Sequence, residues 1–332
     1  MNVSLLLGII ILLIKLVLVL VFLLLGAGWL TYLERRFLGW FQLRPGPNRA
    51  GPWGLFQPLA DIVKLLTKED VVPAGADRLV FMYAPAVVAA TALLIFAVVP
   101  FAENISFLGH SIPMVISDLN VGLLFVLALS SLSVYGVVLG GWASNSKFSL
   151  LGGIRSAAQM VSYELSLGLS LVPVVMLAGS FSLTDIVLAQ SGYPFILVQP
   201  VAFFIFFTSA VAEAKRIPFD IPEAENELVA GYHTEYSGMR FGLYFLGEYV
   251  TMVVMGALVA VFFLGGWRGP LLPPLVWFLI KTGATVFVLI WMRATLPRLR
   301  YDQLMHLGWK FMIPVALLNI LVTGAVILAL GG

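Results

Sequence analysis

MNVSLLLGIIILLIKLVLVLVFLLLGAGWL, residues Met1–Leu30, holds one charged side chain, Lys15, in an otherwise nearly unbroken apolar run. Eighteen or so apolar residues in a row are the signature of a helix that crosses a bilayer. No basic region precedes the run and no A-x-A-like cleavage site follows it. The run is also longer than the roughly 7–15 residues of a signal-peptide core, so it reads as a retained first span. At about 1.5 Å per residue it exceeds a hydrocarbon layer of ~30 Å, which predicts a tilted helix.

A window of about 19 residues finds further stretches of the same kind. The candidate spans are eight: 3–30, 79–101, 119–142, 157–179, 196–213, 239–264, 273–293 and 310–330. Composition agrees, with 61% hydrophobic and 11% charged residues and a mean hydropathy of +1.02. Soluble domains carry roughly 45–50% apolar and about 25% charged residues. A soluble enzyme, a disordered chain and a nucleic-acid-binding module are thereby excluded. The fold class is an all-α polytopic membrane protein of about eight transmembrane helices, one membrane domain over residues 1–332, with interfacial and loop helices besides.

What the chain lacks narrows its chemistry. A net charge of +2 argues against a polyanionic partner, and zero cysteines leave no thiolate for an iron–sulfur cluster or a disulfide. His110, His233 and His306 all fall in expected loops, so a haem-b bundle with histidines inside its spans is out. Neither G-x-x-x-x-G-K-[ST] nor G-x-G-x-x-G occurs, which assigns any nucleotide chemistry to another chain.

The loops sort by charge. Loops 31–78, 143–156, 214–238 and 294–309 hold Arg35, Arg36, Arg44, Arg49, Lys64, Lys68, Arg78, Lys147, Arg155, Lys215, Arg216, Arg298 and Arg300, and the alternate loops hold only Arg268. The positive-inside rule places the basic loops in the cytoplasm or mitochondrial matrix and both termini on the opposite side. Within loop 31–78, Leu55, Phe56, Leu59, Ile62, Val63 and Leu66 form a helical stripe beside Gln57, Asp61, Lys64 and Lys68, the pattern of a helix lying in the membrane plane. Before it, Arg44–Pro52 (RPGPNRAGP) has three prolines and two glycines, which exclude helix and central strand. Loop 214–238 is acidic, with Asp220, Glu223, Glu225, Glu227 and Glu235.

Ionised groups inside a bilayer cost roughly 2.5–3.5 kcal/mol each on insertion scales and demand an explanation. Lys15, Glu164, Glu213, Glu248 and Lys281 are such groups. Glu213 falls at the cytoplasmic boundary, Glu164 about 10 Å below it and Glu248 about 15 Å below it. With the loop acids above, they form a series of increasing depth suited to carry protons from the cytoplasmic side to mid-membrane. Structural readings stand beside that one. Glu213 could pair with Arg216 at a helix end, Glu164 could be a satisfied interhelical hydrogen-bonder or a partner for Lys15 or Lys281, and Glu223, Glu225 and Glu227 could be a solvated helix start. The residues alone leave open a secondary transporter, a channel and the membrane anchor of a redox complex. The halves 1–165 and 166–332 share no duplicated motif, which weighs against a transporter built from repeats.

Four stretches are more specific: RPGPNRAGPWGLFQPLADIVKLLTKED at Arg44–Asp70, RSAAQMVSYELSL at Arg155–Leu167, AEAKRIPFDIPEAENELVAGYHTEYSGMRFGLYFLGEY at Ala212–Tyr249 and RATLPRLRYDQLMHLGWK at Arg293–Lys310. In these motifs and in span count the chain resembles the H-subunit family of proton-pumping NADH:quinone oxidoreductase, respiratory complex I. Ferredoxin- or F420-linked relatives share the family, and membrane-bound hydrogenases are more distant. The intact PEAENELVAGYHTEYSG stretch and the GPNR form favour a bacterial NADH-type complex in the inner membrane.

The resemblance implies a protein that joins a hydrophilic arm to a membrane arm and forms most of the tunnel admitting quinone from the bilayer. Quinone is then the substrate, and no cofactor is held covalently. The iron–sulfur clusters and FMN reside on partner subunits. Those partners comprise soluble quinone-site and iron–sulfur subunits, small membrane subunits and antiporter-like subunits. Position by position, Glu34, Arg35, Arg36, Arg44, Asp61, Arg216 and Arg293 match residues that line or brace the tunnel. Glu164, Glu213, Glu223, Glu225, Glu227 and Glu248 match the acidic chain from the quinone cavity toward the pump modules. No residue of this chain alone is expected to be catalytic, and none to bind a metal. Tyr232 and Tyr236 receive no role.

Overall fold

The computed structural model describes residues 3–107, 110–221 and 228–330. Among the described residues eleven helices make the frame: α1 (Val3–Phe41), α2 (Gln57–Thr67), α3 (Arg78–Ile95), α4 (Gly122–Ala143), α5 (Lys147–Ala178), α6 (Leu183–Ala189), α7 (Phe195–Val198), α8 (Pro200–Glu213), α9 (Gly238–Phe263), α10 (Pro274–Thr295) and α11 (Tyr301–Ala329). One small hairpin, β1 (Ile105–Phe107) with β2 (His110–Ile112), stands between α3 and α4 and pairs Ile105 opposite Ile112. The chain is an all-α polytopic membrane protein, with this hairpin the single exception among the described residues.

Seven of the helices are long and apolar enough to cross a bilayer: α1, α3, α4, α5, α9, α10 and α11. The expected span at 196–213 is built differently. Chain geometry breaks at Gln199 between the single turn α7 and the 14-residue α8. Pro200 starts α8 and has no N–H to continue the turn before it. The Gln199 side chain fills the break: its Nε2 donates to Thr323 Oγ1 at 2.9 Å, and its Oε1 accepts from Asn319 Nδ2 at 3.0 Å, both on α11.

Depth of burial ranks the helices. The most apolar stretch of α9 is 78% buried and that of α1 only 6%, so α9 is the axis and α1 an outer wall. α9 packs on α3, α10 and α1, while α5 fills the space between α4, α8 and α11. Lipid tails are as apolar as leucine, so these helices associate through close packing of small residues rather than by excluding water. Gly152 of α5 shows the consequence. A Cβ there would sit 2.6 Å from the Tyr232 backbone nitrogen. Only glycine lets the loop lie flat against α5.

α1 continues past the expected end at residue 30 through Glu34, Arg35 and Arg36 to Phe41. Its 39 residues span roughly 58 Å, about twice a hydrocarbon layer. The charged end therefore projects beside α2, which carries the expected amphipathic stripe: Leu59, Ile62, Val63 and Leu66 are all exposed.

Candidate functional site

Glu34 is the point on which three helices and a loop converge. It lies on α1 and is 2% exposed. Tyr249 of α9 donates its hydroxyl to Glu34 Oε2 at 2.6 Å. Arg216, just after α8, donates from Nη1 to both carboxylate oxygens at 3.2 and 3.4 Å. Arg293, in the last turn of α10, pairs with Oε1. The Arg216 guanidinium also lies 4.6 Å from the centre of the Tyr249 ring. Burying one carboxylate costs several kcal/mol, and two guanidinium groups with a phenol offset that cost.

The neighbouring arginines brace the segment that follows. Arg35 Nη1 pairs with Asp61 Oδ2 at 2.8 Å, and Gln57 donates to Asp61 Oδ1 at 3.0 Å, which pins α2 to α1. Arg36 donates to the carbonyls of Pro47 and Trp53 at 3.1 and 3.4 Å and stands 5.9 Å from the Trp40 and Trp53 rings. Tyr32 donates to the Trp53 carbonyl at 2.7 Å. The proline-rich segment is thus folded back onto α1. Arg44 stands apart, exposed, with its Nε on Gln42 Oε1 at 2.6 Å.

The membrane acids have specific neighbours. Glu164 on α5 accepts from Ser130 at 3.1 Å and from Ser131, both on α4. Glu213 ends α8, is 5% exposed, and has no hydrogen bond or ion pair among the described residues. Glu164 lies near enough for the two carboxylates to repel. Glu248 on α9 is buried and accepts from Tyr232 at 3.0 Å. Glu223, Glu225 and Glu227 lie outside the described residues.

Several simple pairings are not made. Arg216 bonds Glu34 and not Glu213, because Lys215 turns the chain out of the helix with a left-handed φ of 51°. Glu164 is the interhelical hydrogen-bonder of the two structural readings, with serine partners on α4, and both membrane lysines serve backbone carbonyls instead. Lys281 donates to Leu264, Gly266 and Arg268 carbonyls at 2.6, 2.9 and 2.6 Å, which places its charge at the C-terminal end of α9. Lys15 donates to the Pro113 carbonyl at 2.5 Å.

Reading the sequence missed Tyr249, Tyr232, Lys215, Asp220 and Arg298. Asp220 pairs through Oδ2 with Arg298 Nη2 at 2.9 Å, and its buried Oδ1 has no hydrogen-bond partner among the described residues. Burial pushes its carboxyl up to about 6 against the pull of Arg298, with Glu248 adding to the rise. Gln159 of α5 holds this turn, its Nε2 donating to the Ala212 and Phe219 carbonyls at 2.9 and 2.8 Å. The available signal was position: Asp220 and Lys215 both lie inside the motif that contains the acids.

An apolar cavity of about 600 Å³ lies between α1 and α10, lined by Ile14, Lys15, Leu18, Phe278 and Leu279 among others. Lys15 is nineteen positions from Glu34, roughly 28 Å along the helix. This cavity is no part of the charged site.

A family model described as NADH dehydrogenase matches residues 14–324. The chain is 68% identical over 324 residues to an NADH-quinone oxidoreductase H subunit of Syntrophobacter fumaroxidans, covering 98% of each chain. Identity is 67% over 302 residues to an NADH-quinone oxidoreductase H subunit of Geobacter sulfurreducens, covering 91% of this chain and 92% of the relative. It is 60% over 320 residues to the NADH-quinone oxidoreductase H subunit of Syntrophotalea carbinolica, covering 96% and 97%.

Proposed function

Since the chain belongs to the NADH dehydrogenase family, as an H subunit of NADH-quinone oxidoreductase (complex I), we propose that it forms the quinone-access tunnel and couples quinone reduction to proton translocation. Glu34, Arg35, Arg36, Arg44, Asp61, Arg216 and Arg293 line or brace the tunnel in this reading. Glu213, Glu164 and Glu248, with Glu223, Glu225 and Glu227 of the loop, carry the response toward antiporter-like subunits. The electrons come from iron–sulfur and FMN-bearing partner subunits, and the chain sits in a bacterial inner membrane with both termini periplasmic. Segments 31–78 and 214–238 face the cytoplasm and meet the soluble subunits.

The observation that carries the reading is the ion cluster at Glu34. One buried carboxylate binds Arg293, Tyr249 and Arg216, and Arg216 belongs to the acidic loop itself. A change of charge beside Glu34 therefore acts directly on the root of that loop. Reducing a quinone to a quinol takes up two electrons and two protons, so it changes charge wherever those protons are drawn from. Acids that interact by more than about one pK unit titrate as a set. Displacing protons along Glu213, Glu164 and Glu248 is the transmission step.

The test substitutes glutamine at Glu213, Glu164 and Glu248 in turn within the assembled complex. Glutamine keeps shape and hydrogen bonding but cannot titrate. The expected outcome is normal assembly and electron transfer to hydrophilic acceptors, with loss of most quinone-linked turnover and pumping. Unchanged turnover and an unchanged ratio of protons pumped to quinone reduced in all three variants would make these carboxylates structural.

A further inference from the structure

Three buried tyrosines gather where the loop before α9 meets the membrane: Tyr232, Tyr236 and Tyr244. Tyr244 stacks edge-on against both of the others, with ring centres 5.1 Å from Tyr232 and 5.0 Å from Tyr236. Two of the three have structural uses for their hydroxyls. Tyr244 donates to the Gly136 carbonyl at 3.1 Å and Tyr236 to the Gly140 carbonyl at 3.4 Å, so both fasten the loop and α9 to α4.

Tyr232 differs. Its hydroxyl donates to Glu248 Oε1 at 3.0 Å and accepts from Lys215 Nζ at 3.4 Å. The same ammonium stands 4.7 Å from the centre of the Tyr232 ring. The ring is fully buried, its backbone lies against Gly152, and His233 meets it edge-on at 4.9 Å. One phenol is thereby fixed between a cation just outside α8 and a carboxylate inside α9. A fully buried hydroxyl between two titratable groups is placed to pass a proton, whereas a bond to a carbonyl is not.

We propose that Tyr232 relays a proton between Lys215, at the root of the acidic loop, and Glu248 within α9. In the step the Tyr232 O–H bond breaks as its proton goes to Glu248 Oε1, and an N–H bond of the Lys215 ammonium breaks to restore the phenol. The products are a neutral lysine, an unchanged tyrosine and a protonated glutamate. Water at the cytoplasmic side returns a proton to Lys215, and the reverse sequence discharges Glu248. The inference rests on the proton-coupling reading above and adds to it a residue that reading did not use.

The experiment compares Tyr232→Phe, Tyr244→Phe, Lys215→Met and Glu248→Gln in the purified complex reconstituted into vesicles. It measures quinone-linked turnover, protons pumped per quinone reduced, and the effect of heavy water on both. Each phenylalanine variant removes one oxygen from the same cluster, so a packing defect would appear in both. Tyr232→Phe is expected to lower coupled turnover about tenfold or more, since a positioned proton donor contributes on the order of 100-fold. Tyr244→Phe is expected to keep the wild-type ratio and isotope effect. Lys215→Met should reproduce the Tyr232→Phe loss, and the double variant Tyr232→Phe with Glu248→Gln should be no worse than either single one. A Tyr232→Phe complex that pumps normally while Glu248→Gln does not would overturn the relay and leave the acid chain standing. Equal losses in the two phenylalanine variants would overturn it in favour of packing. Normal pumping in every variant would overturn the relay and the coupling reading together.

Discussion

Asp220 is buried with one oxygen on Arg298 and the other, among the described residues, without a hydrogen-bond partner. Burial raises its carboxyl from the ordinary 3.8 to about 6, so the folded protein binds a proton that the unfolded chain has released across that window. The group's contribution is therefore complete below pH 3.8 and is lost as pH climbs through about 6. Asp220→Asn cannot titrate, so its thermal stability measured against the wild type should rise between pH 4.5 and pH 7. Loss of the Arg298 pair sets a constant offset and leaves that slope intact. A difference that stays flat, or falls, would mean Asp220 is ionised throughout. At this scale the sequence is half-legible. The acids were visible because an ionised group in an apolar run is anomalous, and Glu164 and Glu248 stand out for that reason alone. Distant partners were not visible: Glu34 meets Arg216 and Arg293 at sequence separations of 182 and 259. Lys15 and Lys281 misled because their partners are backbone carbonyls, distant in sequence for Lys15 and in the preceding turn for Lys281, which no side-chain pattern announces.

Elements set by a local period were the most legible. The stripe of Leu59, Ile62, Val63 and Leu66 defines α2 because helical spacing and polarity agree within two turns. The extension of α1 to Phe41 was not legible, since Glu34, Arg35 and Arg36 look like the end of a span until their partners on α2, α9 and α10 are known. The break at Gln199 is likewise a tertiary feature, held by Asn319 and Thr323 of the last helix. Glycines divide in the same way, and two on α5 allow a direct comparison. At Gly152 a Cβ would meet Gly231 and Tyr232 backbone atoms at 2.6–2.7 Å, and backbone cannot rotate away. At Gly168 the nearest atom is the Leu127 side chain at 4.0 Å. Alanine in a helix interior is otherwise favoured over glycine by roughly 0.5–1 kcal/mol. Gly152→Ala should therefore sharply lower the amount of assembled complex in membranes, while Gly168→Ala leaves it unchanged or slightly higher. Equal amounts on a native gel would show that the loop can move off α5 freely, and that α5 does not fix Tyr232.

The molecule as a whole was legible in outline from charge and hydropathy, because a bilayer acts on long segments and ignores side-chain detail. Where the fold bundles those segments, the basic loops meet at one end of the helices. Arg216 and Arg293 share Glu34, Arg298 holds Asp220 of the acidic loop, and Arg240 pairs with Asp70 at 3.0 Å. Charges from three separate loops and the helix ends beside them thus form one face, which the proposed orientation puts on the cytoplasmic side. The opposite end is poor in cations, holding the hairpin and the turns around α6. The absence of cysteine makes a direct test possible, since any thiol introduced is the only one in the chain. Lys147 at the start of α5 and Ser191 after α6 are both exposed and lie at opposite ends of the α5–α6 pair. In intact cells an impermeant maleimide should label Ser191→Cys and spare Lys147→Cys; in inside-out vesicles the pattern should reverse. The two preparations control for each other, so a position shielded by another protein of the complex stays dark in both and does not mimic a reversed topology. Labelling of Lys147→Cys from outside intact cells would invert the orientation. The Glu34 cluster, the acidic loop and the Lys215–Tyr232–Glu248 bridge would then open to the periplasm, where no cytoplasmic electron-transfer arm could reach them.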